Sequence, residues 1–244
     1  RSVGLKREAL NYFVEEILSK AKENIIKLIV FGSLTKGSAI KESDIDVFIV
    51  FYEEEERLLD LVSDISFESA LLYGESIEPF LMSIYEFNAR KDYSLFIREV
   101  IKYGKVIYEM PENEAYWLEA QGYVDLAEDF LIYAKRALEQ KYLRPAIDEG
   151  YNAIELVIKA LILIKGDTLS RSHGGPPIQQ FGRLYIVNRE LEREIGKKVI
   201  KALNMRNKAR YDPKTEIKDD DAKFIIKLGE DLIKEIKNKI YQIS

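Results

Sequence analysis

The sequence predicts an α+β front half, a mixed sheet with flanking helices over residues 1–110, followed by an all-α up-down helical bundle over residues 111–244. Three observations carry this. In the first half, short branched apolar runs alternate with helical spacings, which is the pattern of a sheet layered with helices. From about Glu112 onward every periodic segment has helical spacing. The length of 244 residues suits one or two domains at about 150 residues each.

Taken in order, Leu5 to Lys22 carries apolar residues at Leu10, Phe13, Val14, Ile17, Leu18 and Ala21, the spacing of a helix. Ile25–Phe31 and Ile45–Phe51 are compact, β-branched runs and read as buried strands. Arg57 to Leu72 is helical, and Glu53–Glu56 before it suits a helix N-terminus; a solvated first turn explains that acidic run better than a metal site. Ile77–Ser83 is a third strand, in which Pro79 points to an edge or irregular position. A helix through Tyr93–Tyr103 and a short strand at Lys105–Tyr108 complete the first half. In the second half, helices are expected at Trp117–Gln140, from near Pro145 to Lys165 with Gly166 as the stop, and around Ile178–Ile186, Arg189–Tyr211 and Asp219–Ile243. The helix ending at Lys165 is apolar on nearly all sides from Ile154, so it belongs at the centre of the bundle.

Composition removes several classes of function. With 47% hydrophobic and 32% charged residues the chain is not disordered. With no Cys and one His it cannot be a disulfide scaffold, hold a Cys-bearing zinc site or use a Cys/His nucleophile pair. Any metal must be held by oxygen, which favours Mg²⁺ or Mn²⁺. No apolar stretch is long enough for a membrane span and the first residues do not make a signal peptide, so a cytoplasmic protein is expected. Residues 1–115 hold 14 Lys and Arg against 22 Asp and Glu, whereas residues 116–244 hold 23 against 20. The acidic front half is unsuited to gripping nucleic acid alone.

One segment concentrates the chemistry: Gly32-Ser33, then Lys36-Gly37, then Ser43-Asp44-Ile45-Asp46. A glycine turn after a buried strand lets a phosphate approach backbone N–H groups, and Ser33 adds a hydroxyl donor. Residues i and i+2 of a strand share a face, so Asp44 and Asp46 project together. Paired carboxylates opposite a phosphate-binding turn are what a divalent metal and a nucleotide require. A strand-start turn residue would account for Asp44 alone, but not for Asp46 inside a strand. Lys36 and Ser43 are equally readable as ordinary loop and cap residues.

This segment resembles the signature of the DNA polymerase β-like nucleotidyltransferases, closest to small bacterial and archaeal members related to kanamycin nucleotidyltransferase. The resemblance implies that Gly32, Ser33, Lys36, Gly37 and Ser43 bind the nucleotide and that Asp44 and Asp46 hold metal. A third carboxylate usually comes from a later strand, and Glu78 is the candidate, assisting the acceptor or completing the metal shell; the alternative is a solvent-facing strand residue. The second half is similar to the HEPN domain (higher eukaryotes and prokaryotes nucleotide-binding) through Arg206-Asn207-Lys208-Ala209-Arg210-Tyr211-Asp212-Pro213 and Ser172-His173-Gly174-Gly175. Catalytic members cut RNA with an Arg followed by a His, where this chain has Arg206 and Tyr211. A Tyr, with a pKa of about 10, is a poor base near neutrality. Arg206 is then a phosphate-binding residue or a salt-bridge partner, and Tyr211 a packing residue or a possible nucleotidyl acceptor. His173 is expected to cap or pack near the third helix of the bundle.

The resulting expectation is an enzyme that uses Mg²⁺ (or Mn²⁺) and ATP to transfer a nucleoside monophosphate to an acceptor, releasing pyrophosphate. Small molecule, protein tyrosine and RNA remain open as acceptors, and a homodimer through the helical domain is implied by the HEPN resemblance. The alternative is a HEPN-type RNA-acting or toxin–antitoxin module whose front half regulates or merely binds nucleotide. The basic segment Lys197, Lys198, Lys201, Arg206, Lys208, Arg210 and Lys214 is ordinarily a solvated face, and next to the cleft would hold an anionic acceptor such as RNA.

Overall fold

The computed structural model describes residues 2–33, 35, 43–53, 55–169 and 176–243. They form two compact units, Arg1–Pro111 and Glu112–Ser244.

In the first unit, helix α1 (Ser2–Ala21) leads into β1 (Ile25–Phe31) and β2 (Ile45–Phe51), followed by α2 (Glu55–Tyr73) and β3 (Ile77–Ser83). Helices α3 (Ile84–Arg90) and α4 (Leu95–Tyr103) precede β4 (Lys105–Glu109). The sheet order is β3-β2-β1-β4. It is mixed: β1 runs antiparallel to β2 and β4, while β2 and β3, joined through α2, are parallel. Pro79 therefore lies on an edge strand, where a missing N–H costs no ladder bond on the open side.

Strand alternation divides the two sheet faces. Ile45, Val47, Ile49 and Phe51 join Leu28 and Val30 in a core with Ala9, Phe13 and Ile17 of α1 and Leu58, Val62 and Ile65 of α2. The intervening residues of β2, Asp46 and Phe48, turn to the opposite face. There the Phe48 ring lies 6.0 Å from Phe87 of α3 and 6.0 Å from Phe96 of α4. Periodicity does not predict helix α3. Its signal is a cap rather than a period: the Ser83 hydroxyl accepts from the Glu86 N–H at 3.2 Å, in a Ser-x-x-Glu sequence that opens helices. A second cap, Ser94 accepting from the Ile97 N–H at 3.4 Å, starts α4 two residues later than Tyr93.

The second unit contains α5 (Glu112–Glu139), α6 (Leu143–Ile164), α7 (Pro176–Phe181), a π-helical turn at Gly182–Val187, α8 (Arg193–Tyr211) and α9 (Asp219–Ile243). As its apolar circumference requires, α6 packs against α5, α7, α8 and α9, with Ile154, Val157 and Leu161 fully buried. Gly150 admits α9 closely: a Cβ there would meet Ile225 Cγ2 at 2.7 Å. Gly166 ends the helix with φ 72°. The next long helix begins at Arg193 rather than Arg189, because Arg189 takes φ 59° after the π-helical turn. Among the described residues no helix is long and apolar enough to cross a membrane.

Candidate active site

Three neighbouring strands assemble the site in the first unit. β1 ends at Phe31 and the chain turns at Gly32 with φ 75°, a conformation that side-chain-bearing residues resist. The Thr35 hydroxyl closes this turn by donating to the Gly32 carbonyl at 3.0 Å. Asp46 stands opposite Phe31 in the β1–β2 pair and beside Glu78 in the β2–β3 pair. Its carboxylate lies directly over Gly32, where an added Cβ would fall 2.0 Å from Oδ2.

Charge crowds this corner. Partial burial raises the Asp46 carboxyl above the usual range, and the Glu78 and Asp44 carboxylates raise it further. Asp46 is half-buried, whereas Asp44 and Glu78 are exposed. A cation would relieve the repulsion, and an all-carboxylate donor set suits Mg²⁺ or Mn²⁺. Among the described residues no three such groups are gathered at ligand spacing. The carboxylates form a row from Asp44, just ahead of β2, through Asp46 on β2 to its neighbour Glu78 on β3.

In the second unit, Arg206 is mostly covered, its side chain 17% exposed, with Nε 3.2 Å from Asp148 Oδ1. Its guanidinium lies 5.6 Å from the Tyr151 ring centroid. Arg210, one turn on, reaches the same Asp148 oxygen at 3.8 Å. Tyr211 ends α8 and is 71% exposed, so the expectation of a packed tyrosine is wrong: it lies where α8 gives out.

Comparison with known proteins agrees with this division. The "Polymerase beta, Nucleotidyltransferase" family matches residues 14–113, and the "HEPN domain" family matches residues 120–239. "Putative protein adenylyltransferase MJ0604" of Methanocaldococcus jannaschii is 34% identical over 103 residues, 42% of this chain and 98% of that protein. The chain belongs to the polymerase β nucleotidyltransferases. The chain is also similar to "Putative toxin MJ0605" of the same organism, 37% identical over 128 residues, 51% of this chain and 91% of that protein. "Putative protein adenylyltransferase MJ1305", also from Methanocaldococcus jannaschii, is 28% identical over 112 residues, 43% of this chain and 76% of that protein.

Within the nucleotidyltransferase unit, the fold brings Gly32, Asp46 and Glu78 together, with Asp44 just ahead of β2 and Ser33 in the Gly32 turn. Ser43 is half-buried, and its carbonyl accepts from the Lys6 ammonium. Lys36 and Gly37 lie outside the described residues, as does His173 in the HEPN unit. Sequence reasoning missed Lys6, although a lysine continuing the buried Ala9, Phe13, Ile17 stripe of α1 is a recognisable irregularity. It also missed Arg144, whose guanidinium donates to the carbonyls of Ala209 at 2.6 Å, Asp212 at 3.0 Å and Thr215 at 2.9 Å. No local signal marks that role, because its partners lie 65 to 71 residues along the chain.

Proposed function

We propose that this nucleotidyltransferase moves AMP from ATP onto a protein hydroxyl and releases pyrophosphate. The observation that carries the reading is the Asp46 carboxylate over Gly32 and in register with Glu78. A triphosphate laid on the Gly32–Ser33 turn would meet backbone N–H groups and the Ser33 hydroxyl, with the carboxylate row beside its α-phosphorus. Asp44 and Asp46 would hold Mg²⁺, which when bound neutralises charge between carboxylates and phosphates. Glu78, the exposed end of the row, would take the acceptor's proton as its oxygen attacks the α-phosphorus. The new P–O bond forms on the acceptor while the bond to pyrophosphate breaks, and pyrophosphate leaves with its negative charge. The similarity to proteins described as protein adenylyltransferases supports AMP and a protein acceptor. Tyr211, 71% exposed, is an acceptor candidate carried by the chain itself.

The test is incubation with Mg²⁺ and ATP labelled on the α-phosphate, alone and with total protein or total RNA, followed by intact mass. Label on protein that disappears in Asp46→Asn supports the proposal, and loss of the self-label alone in Tyr211→Phe locates the acceptor. Label confined to RNA would assign a different acceptor, and activity unchanged in Asp46→Asn would refute the carboxylate assignment.

A second reading has its own support: the chain resembles a protein described as a toxin and its HEPN unit carries a lysine-rich α8. RNA cleavage without added metal that is lost in Arg206→Ala would favour it. We also propose that two copies pair through the HEPN unit, which sedimentation would resolve as a dimer.

A further inference from the structure

Lys6 occupies a position that the first unit's apolar pattern assigns to a hydrophobic residue. It precedes Ala9, Phe13 and Ile17 on the buried stripe of α1 and is itself 1% exposed. Its ammonium donates to the Ser43 carbonyl and lies 3.2 Å from Glu75 Oε2, with side chains 2% and 11% exposed. Ser43 immediately precedes Asp44 at the start of β2, and Glu75 lies three residues before Glu78 at the start of β3. The two strand starts are themselves joined by the Ile45 N–H donating to the Ser76 carbonyl at 2.9 Å. One buried cation thus ties α1 to both segments that deliver the carboxylate row.

Burying an ammonium and a carboxylate gives up their hydration, and an apolar pair of similar size commonly packs at least as well. Packing alone is therefore a poor reason for a lysine here. What it supplies is direction. The Ser43 carbonyl lies outside the β2–β3 ladder, after a long connection from β1, and the ammonium holds it where Asp44 leaves the connection and Ile45 enters the sheet.

We infer that Lys6, braced by Glu75, is a positioning residue for nucleotidyl transfer: it sets the start of β2 and so places the Asp44 carboxylate beside Asp46 and Glu78. The inference rests on the carboxylate assignment proposed above. Lys6 approaches from the α1 side of the sheet and acts through the Ser43 backbone.

The probe is Mn²⁺, titrated into the full chain with an α,β-methylene analogue of ATP and followed by electron paramagnetic resonance of the free ion. Lys6→Met/Glu75→Leu removes both charges together, leaving neither buried alone. It is expected to melt no earlier than wild type, yet to bind Mn²⁺ about tenfold more weakly, the scale of lost outer-sphere support. Lys6→Arg, which keeps a cationic donor, should stay close to wild type. Wild-type Mn²⁺ affinity in the folded double variant would overturn the inference. Asp46→Asn is titrated alongside to separate the two ideas. If wild type binds no Mn²⁺, or Asp46→Asn binds it equally well, the carboxylate assignment fails and the role of Lys6 goes with it. Should the double variant not fold, amide hydrogen exchange in Glu75→Gln decides. Faster opening confined to Asp44–Val47 is expected, and unchanged protection there rejects the inference.

Discussion

At Gly32 a side chain is excluded twice over, by φ 75° and by the Asp46 oxygen 2.0 Å from any Cβ. Gly32→Ala should therefore cost about 1–3 kcal/mol of stability from backbone strain and displace the Asp46 carboxylate. Thermal melts would show the first effect and weakened Mn²⁺ and ATP-analogue binding the second. Asp46 makes a prediction of the opposite sign for stability. Its carboxyl is raised by burial and by Glu78 and Asp44, so the folded state binds that proton more tightly than the unfolded chain does. The folded state is favoured most below the ordinary Asp pKa of about 3.9 and loses that advantage as pH rises through the raised value. Asp46→Asn, permanently uncharged, should thus melt higher than wild type near neutrality and lose the advantage in acid, while transferring no nucleotide. Melting curves across that range check it; an equal shift at every pH would mean that the carboxylate's charge is not the source.

At the scale of elements, β1, β2 and β3 were legible to the residue because Ile25–Phe31, Ile45–Phe51 and Ile77–Ser83 are short apolar runs closed by polar or turn-forming neighbours. Asp46 stands out on the same ground, since a carboxylate inside such a run has no packing explanation, and the β2–β3 register sets it beside Glu78. What pattern reading missed was set by contacts distant in sequence or by single caps: α3 opens on the Ser83 hydroxyl, Lys6 answers Ser43 and Glu75, and Arg144 closes α8. Arg144 is open to test. A cation at a helix C-terminus satisfies carbonyls that have no helical partner. Arg144→Met leaves those of Ala209, Asp212 and Thr215 to water. The expected loss is about 2 kcal/mol, the scale of hydrogen bonds to a charged donor. Faster amide exchange should be concentrated over residues 209–215, and uniform loosening of the whole helical unit would contradict a local latch.

On the scale of the whole molecule, the two units are chemically unlike: the front is acidic and carries the carboxylate row, and the back carries the basic α8. Each has a core of its own, one around the sheet with α1 and α2, the other around α6. Two similar Methanocaldococcus proteins each match about half of this chain, 42% and 51%, while being matched over 98% and 91% of their own length. Residues 1–111 and 112–244 made separately should therefore each fold. The single Trp of the chain, Trp117, lies in α5 of the helical unit. Urea unfolding of residues 112–244 followed by Trp117 fluorescence should be one cooperative transition coincident with the loss of helical circular dichroism. On the carboxylate assignment proposed above, residues 1–111 should bind the ATP analogue with Mn²⁺, because Gly32, Asp44, Asp46, Glu78, Lys6 and Glu75 all lie within them. A helical fragment lacking a cooperative transition would contradict an independent core in that unit, and a front fragment that folds without binding nucleotide while the full chain binds it would contradict a site made by residues 1–111 alone.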